Sequence, residues 1–423
     1  MPVKQPLAEF VSPSGRAAAS LPRMSSPDTA PPTPVTQRLT SIDAYRGLVM
    51  FLLIAERFSI GAVAKALPAS AAWGFLALQQ RHVEWTGCVL HDLIQPSFSF
   101  LVGVALPFSL ASRGARGQGV WTMAGHAFTR AFVLIALGVF LRSVGRSQTS
   151  FTFEDTLSQI GLGYGFLFLI ALRPARDQWV AFGALLAGYW ALFAFWPLPG
   201  PGFDWARAGV AADWPHHLTG FVAHWNKNTN PAWAFDSWFL NLFPREKPFT
   251  ANVGGYATLS FLPTLATMLL GVRAGSVLRG GRAAGEKVRW LAMAGVIALA
   301  GGWLLGALGV CPVVKRIWTP SWVLFSGGWC LLILAAFYAI VDLRGWRAWA
   351  FPLVVLGMNS IAAYVADHLF PQFIRDALKC HLGANFFKMF GDAYAPFVLG
   401  SGVVLALWLM MFWMYRRKIY LRI

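Results

Sequence analysis

Residues 81–110, RHVEWTGCVLHDLIQPSFSFLVGVALPFSL, decide how this chain is read. From Leu93 onward the stretch is apolar enough to cross a bilayer. It is preceded within a dozen residues by His82, Glu84, Trp85, His91 and Asp92. Ionisable groups at the mouth of a membrane segment cost free energy and stay where something uses them. The stretch therefore predicts a transmembrane helix with a polar site at its entrance.

The rest of the chain supports that reading. Of 423 residues, 57% are hydrophobic and 13% charged, where a soluble domain carries about 25% charged residues. Apolar runs of about 20 residues recur, each long enough to span about 30 Å of hydrocarbon. The fold class expected is all-α, a polytopic transmembrane helical bundle of about ten spans. They fall near 42–60, 91–111, 120–142, 157–172, 178–196, 254–272, 288–309, 321–341, 350–369 and 394–415. Residues 1–37, rich in Pro, Ser and Thr, read as a disordered cytoplasmic tail before a membrane domain over 38–423.

The formal net charge of +17 raises nucleic acid as a partner. The basic residues form no stripe. They sit in short loops such as RGARGQG, RPARDQ and RAGSVLRGGRAAGEKVR and in the final YRRKIYLRI, which fits the positive-inside rule. Both termini are thereby expected in the cytoplasm, nucleic acid is excluded, and the bilayer is the partner. The long segment 197–253 then falls outside, and its Trp and Asn suggest contacts to a sugar or other polar ligand. Asp236, Trp238, Asn241 and Arg245 are its candidate substrate residues.

His82 is the first candidate for chemistry. Imidazole titrates near neutrality, so it can take a proton from an attacking amine or hydroxyl or carry an acyl group itself. Asp92 can orient a His or pair with an Arg, or serve only as a first-turn acid on the helix dipole. Asp43 and Arg46, three apart at the start of the first span, can pair, or Arg46 can meet a phosphate. Asn359 is too polar to face lipid and is expected to line a cavity or bond across helices. The glycines of FEDTLSQIGLGYGFL follow no strand, so they read as close-packing residues and not as a dinucleotide loop. No CxxC, HExxH, GxSxG or Walker pattern occurs, which leaves metal, serine-hydrolase and ATP-driven chemistry without a signal. Cys311 and Cys380 are expected on the same side, where a disulfide is conceivable.

Seven stretches in order, RLTSIDAYRGL, HVEWTGCVLHDLIQPSFSFLVG, TLSQIGLGY, LLGVRAG, KRIWTPSWVLFSGG, GMNSIAAYV and LWLMMFWMYRRKIYLRI, make the chain resemble the heparan-α-glucosaminide N-acetyltransferase family, in a bacterial-type form. The resemblance implies an acetyl-CoA-dependent transmembrane acetyltransferase in the bacterial inner membrane. The acetyl group would pass from cytoplasmic acetyl-CoA to an amine or hydroxyl of a sugar or glycan on the periplasmic side. It implies His82, three residues before Trp85, as the active imidazole. It also marks Asp43, Arg46, Asp92, Lys315 and Asn359 as cavity residues without assigned roles, and implies a homodimer. Asp43, Arg46, Arg130 and Asn359 are taken as candidate donor residues, and Trp85 and Lys315 as candidate acceptor residues. The chain departs from the family in lacking a large domain before RLTSIDAYRGL. It also carries Glu56 and Arg57 where the family often has Asn, an insertion before His82, and a different outer loop. The rival reading of the polar residues is a transporter or flippase for a small polar solute or lipid-linked sugar.

Overall fold

The computed structural model describes residues 39–421, so the expected tail at 1–37 lies outside the described residues. Within them every named element is helical, and a single bridge between Thr86 and Val314 is the one β-type pairing.

Seven helical stretches are long and apolar enough to cross a bilayer: Thr40–Ala66, Leu90–Gly114, Val120–Ser143, Thr258–Arg279, Ala284–Ala307, Pro320–Leu343 and Asp392–Arg416. An eighth crossing is a broken pair, Ala348–Met358 and Ser360–Leu369, bent by 70°. All ten expected segments carry a helix. Two of them fall short of a full span for physical reasons. Thr156–Ala171 has 16 residues, about 24 Å of rise against about 30 Å of hydrocarbon. Ala175–Ala194 opens with Arg176 and Asp177 and stays below the apolar threshold.

Three helices frame the site, here α1 (Thr40–Ile54), α2 (Ile94–Gly114) and α3 (Phe261–Arg279). α2 and α3 lie backbone against backbone. A methyl group on Gly103 would run into the Met268 carbonyl, and one on Gly271 into that of Phe100. The glycines at 161, 163 and 165 are also closely packed, Gly161 against the Ala131 carbonyl and Ile135, Gly163 and Gly165 against the side chains of Met268 and Phe128, which is the role their spacing suggested. The large core of the bundle runs through Tyr45, Met50, Phe100, Leu101, Leu157 and Leu269.

Residues 197–257 do not form an open loop. They contain helices at Trp205–Ala208 and Pro231–Phe239 and a 3₁₀ turn at Gly220–Trp225. They close over a second core of Trp85, Tyr189, Phe193, Trp225 and Ile317. The expected sugar-binding role of the asparagines meets a different geometry. Asn228 donates to the carbonyls of Ala208 and Asn252 at 2.8 and 2.9 Å. Asn226 exchanges bonds with Leu218 at 2.7 and 2.9 Å, and Asn230 accepts from Trp233 N to cap its helix. A long irregular segment has many backbone groups to satisfy, and these buried amides satisfy them. Cys311 and Cys380 are free thiols, the first buried and the second exposed, so the conceivable disulfide is absent.

Candidate active site

Residues 80–89, ahead of the turn Leu90–Leu93 and α2, contain no helix and are held largely by side chains. Trp85 is 1% exposed and donates to the Trp225 carbonyl at 3.1 Å. Gly87 N donates to Val313 O at 3.0 Å beside the Thr86–Val314 bridge. Arg316 reaches back to the carbonyls of Val83 and Gly254, at 3.1 and 2.7 Å. This pairing of 83–87 with 313–316 sets Lys315 beside His82, 233 residues away in sequence.

Asp92 is the hub. One carboxylate oxygen accepts from Val89 N at 3.2 Å and so caps the turn Leu90–Leu93 that opens the span. The other lies 2.7 Å from His82 Nδ1 and 3.2 Å from Lys315 Nζ. Side-chain exposure is 37% for His82, 0% for Asp92 and 5% for Lys315. The imidazole is thus the most exposed of the three, and the nearly buried Lys315 lines the same chamber. With Nδ1–H assigned as donor to Asp92, the free lone pair is on Nε2. Burial lowers the imidazole below its ordinary value. Asp92 pulls it back up, and the nearby Lys315 ammonium adds to the lowering. Lys315 is itself lowered by burial, against the pull of Asp92. A neutral His82 at physiological pH follows, which is the state a base requires.

His82 lines a chamber of about 380 Å³ together with Glu56, Arg57, His91, Arg142, Glu154 and Tyr256, a size that suits a small-molecule site. His91 Nε2 lies 2.6 Å from Glu56 Oε1, and its ring centroid is 4.6 Å from that of His82. Arg57 grips the carboxylate of Asp367 with two bonds of 2.9 and 2.8 Å. A second chamber of about 400 Å³ continues along α2. It is lined by Arg46, Arg113, Arg116 and Arg130, with apolar Leu101 and Leu134 between. Arg130 lies over the Tyr164 ring, 4.8 Å from its centroid, and donates to the Tyr164 hydroxyl at 3.3 Å. Four guanidinium groups in the wall of one chamber suit a phosphorylated ligand. Phe98 is the one residue that lines both chambers. Among the described residues no group of three His, Cys, Asp or Glu could hold a metal ion.

No family model matches the chain. Two curated relatives match along most of it. The chain is similar to heparan-alpha-glucosaminide N-acetyltransferase. The human enzyme of that name is 24% identical over 91% of this chain, and the mouse enzyme 23% identical over 79%. The chain spans about 60% and 54% of the length of these two relatives. The resemblance to heparan-alpha-glucosaminide N-acetyltransferase read from seven motifs thus extends over nearly the whole chain.

The remaining sequence candidates are scattered. Asp43 pairs with Arg46 at 3.4 Å, three residues on. Asn359 sits at the break of the bent pair. It donates to Ile419 O at 3.0 Å and accepts from Leu421 N at 3.2 Å, so it ties down the C-terminal stretch that borders the arginine chamber. Trp85 faces the second core and not the His82 chamber. Asn241 closes its own turn on Ser237 and Phe249, and Trp238 is exposed beside Phe235. Arg245 bonds the carbonyls of Leu240 and Phe151 and borders a separate groove. Asp236 is buried and accepts from Thr258 N at 2.9 Å, and burial pushes its carboxyl up to about 7. Sequence reasoning missed Arg113 and Arg116, whose loop reads as topology-setting charge. It missed Arg142 and Tyr256 as well, where no sequence signal marks a chamber wall.

Proposed function

We propose that the chain is a membrane acetyltransferase that uses acetyl-CoA and acylates an amine or hydroxyl of a sugar. The carrying observation is the junction of the two chambers at Phe98, one walled by arginines and the other presenting His82. Acetyl-CoA lies with its phosphates among Arg46, Arg113, Arg116 and Arg130, at the end taken as cytoplasmic from the loop charges. Its thioester reaches along α2 toward His82. The rise from Phe98 to Arg113 is about 22 Å, a distance for an extended arm rather than a compact ligand.

The acceptor enters the His82 chamber from the opposite, periplasmic side of a bacterial inner membrane. His82 Nε2 takes the proton from the acceptor nitrogen or oxygen as that atom attacks the acetyl carbonyl carbon. The new C–N or C–O bond forms, the C–S bond breaks, and the departing CoA thiolate receives a proton. Asp92 holds the tautomer and stabilises the imidazolium that forms. Lys315 neutralises Asp92 and keeps the resting imidazole unprotonated. Binding both substrates at once, in adjoining chambers, favours direct transfer. The names of the two relatives support an N-acetyl product on a glucosamine-type acceptor.

Purified protein in detergent, given acetyl-CoA labelled in the acetyl group and a panel of amino sugars and plain sugars, tests this. Label on an amino sugar with matching release of free CoA thiol is expected. A protein that moves labelled sugar across vesicles without consuming acetyl-CoA would instead be a transporter.

A further inference from the structure

Resting on that reading, we propose that Phe98 sets the size of acyl group the enzyme transfers and keeps the thioester from water. The ring is 8% exposed and stands between the two chambers, and no other lining residue is common to both. It packs edge-on to Tyr364, centroids 6.3 Å apart, and Tyr364 is itself a wall of the His82 chamber. One turn further, Leu101 and Val102 belong to the arginine chamber only; one turn back, Ile94 and Gln95 belong to the His82 chamber only. The helix thus changes chambers at Phe98.

An acyl group attached to a donor held among the arginines has to pass this ring before its carbonyl meets His82. Acetyl adds a single methyl beyond the carbonyl. Longer chains must displace a nearly buried ring packed edge-on against Tyr364. The same ring closes the polar chamber, open to the acceptor side, off from the stretch where the thioester waits. Without it, water reaches the carbonyl, the C–S bond breaks, and acetate and free thiol leave with one proton and no acceptor consumed. Phe98 is a positioning and specificity residue, with no atom in the transfer itself.

The test compares wild type with Phe98→Ala and Phe98→Leu in full-length detergent-purified protein. Acetyl-, propionyl- and butyryl-CoA are the donors, with the amino sugar that the wild type acetylates best. The butyryl-to-acetyl ratio of kcat/KM is expected to rise at least 10-fold in Phe98→Ala and by a smaller factor in Phe98→Leu. Thiol release without acceptor should rise alongside. Phe98→Leu, which keeps bulk and hydrophobicity, guards against a variant that fails to fold. Folded variants with an unchanged acyl ratio and unchanged acceptor-free hydrolysis would overturn the inference. A wild type that transfers no acetyl group at all would instead overturn the functional reading beneath it.

Discussion

Two regions of this molecule are dense in polar residues, and they use them in opposite ways. Around His82 the side chains satisfy one another: Asp92 takes both His82 and Lys315, Glu56 takes His91, and Asp367 takes Arg57. The ring left facing open space is an imidazole. Across 197–257 the side chains satisfy the backbone: Asn226, Asn228, Asn230 and Asn241 all bond to main-chain atoms. Abundance of Asn and Trp therefore does not mark a ligand surface. What marks one is a reactive group held by neighbours on one side and open to a chamber on the other.

The sharpest way to break that comparison is His82→Ala. Transfer should fall by about 10²–10⁴-fold, the range for a positioned general base, while the thermal midpoint and acetyl-CoA binding stay near wild type. Near-normal turnover would remove His82 from the chemistry. Asp92→Asn should lose about 10²-fold in kcat through loss of tautomer control, at the lower end of the same range. It also leaves Lys315 buried without its counter-charge, so its expression and thermal midpoint need to be measured beside its rate.

Lys315→Met sharpens the picture through pH. The ammonium lowers the His82 imidazole, so its removal raises it. The rate falls when His82 gains a proton, so the acidic limb of kcat/KM should move to higher pH in the variant. An unmoved limb would mean that another group titrates.

The outer region should respond in stability and not in turnover. Asn228→Ala deletes two buried bonds at a position with φ of 53°, where asparagine is tolerated better than alanine. A loss of about 1–3 kcal/mol of stability is expected, read as a lowered thermal midpoint, with both KM values unchanged. Lost acceptor affinity at an unchanged midpoint would return the region to the status of a ligand surface.

Asp236→Asn should give the most pH-dependent effect. The folded carboxyl titrates at about 7 and an unfolded one near its ordinary value. Between those values the folded state holds a proton that the unfolded state has lost. Wild-type stability therefore declines as pH rises through that window, by at most about 1.4 kcal/mol per pH unit. The Asn variant lacks this decline, so its midpoint should gain on the wild type between pH 5 and 7.5. A constant difference across that range would mean that Asp236 does not titrate there.

Much of this was legible from sequence. Hydropathy located all ten helical segments, because apolar length is a local property. His82 and Asp92 stood out as ionisable groups at the mouth of a span. The partner of Asp92 across the fold was marked only by resemblance, since the contact is made by a two-residue bridge between 83–87 and 313–316. Arg113 and Arg116 were hidden in a loop whose charge already had an explanation. The backbone-bonding role of the asparagines of 197–257 was not legible, because composition does not say whether an amide will face a ligand or a carbonyl.

The most direct test of the central claim, a donor chamber and an acceptor chamber joined through one bundle, is sided transfer. Protein is reconstituted in sealed liposomes with an amino sugar trapped inside, and labelled acetyl-CoA is added outside only. The account predicts label on the trapped sugar, with free thiol appearing outside, from the fraction of molecules whose arginine chamber faces out. Label that appears only when donor and acceptor share one side of the membrane would contradict it.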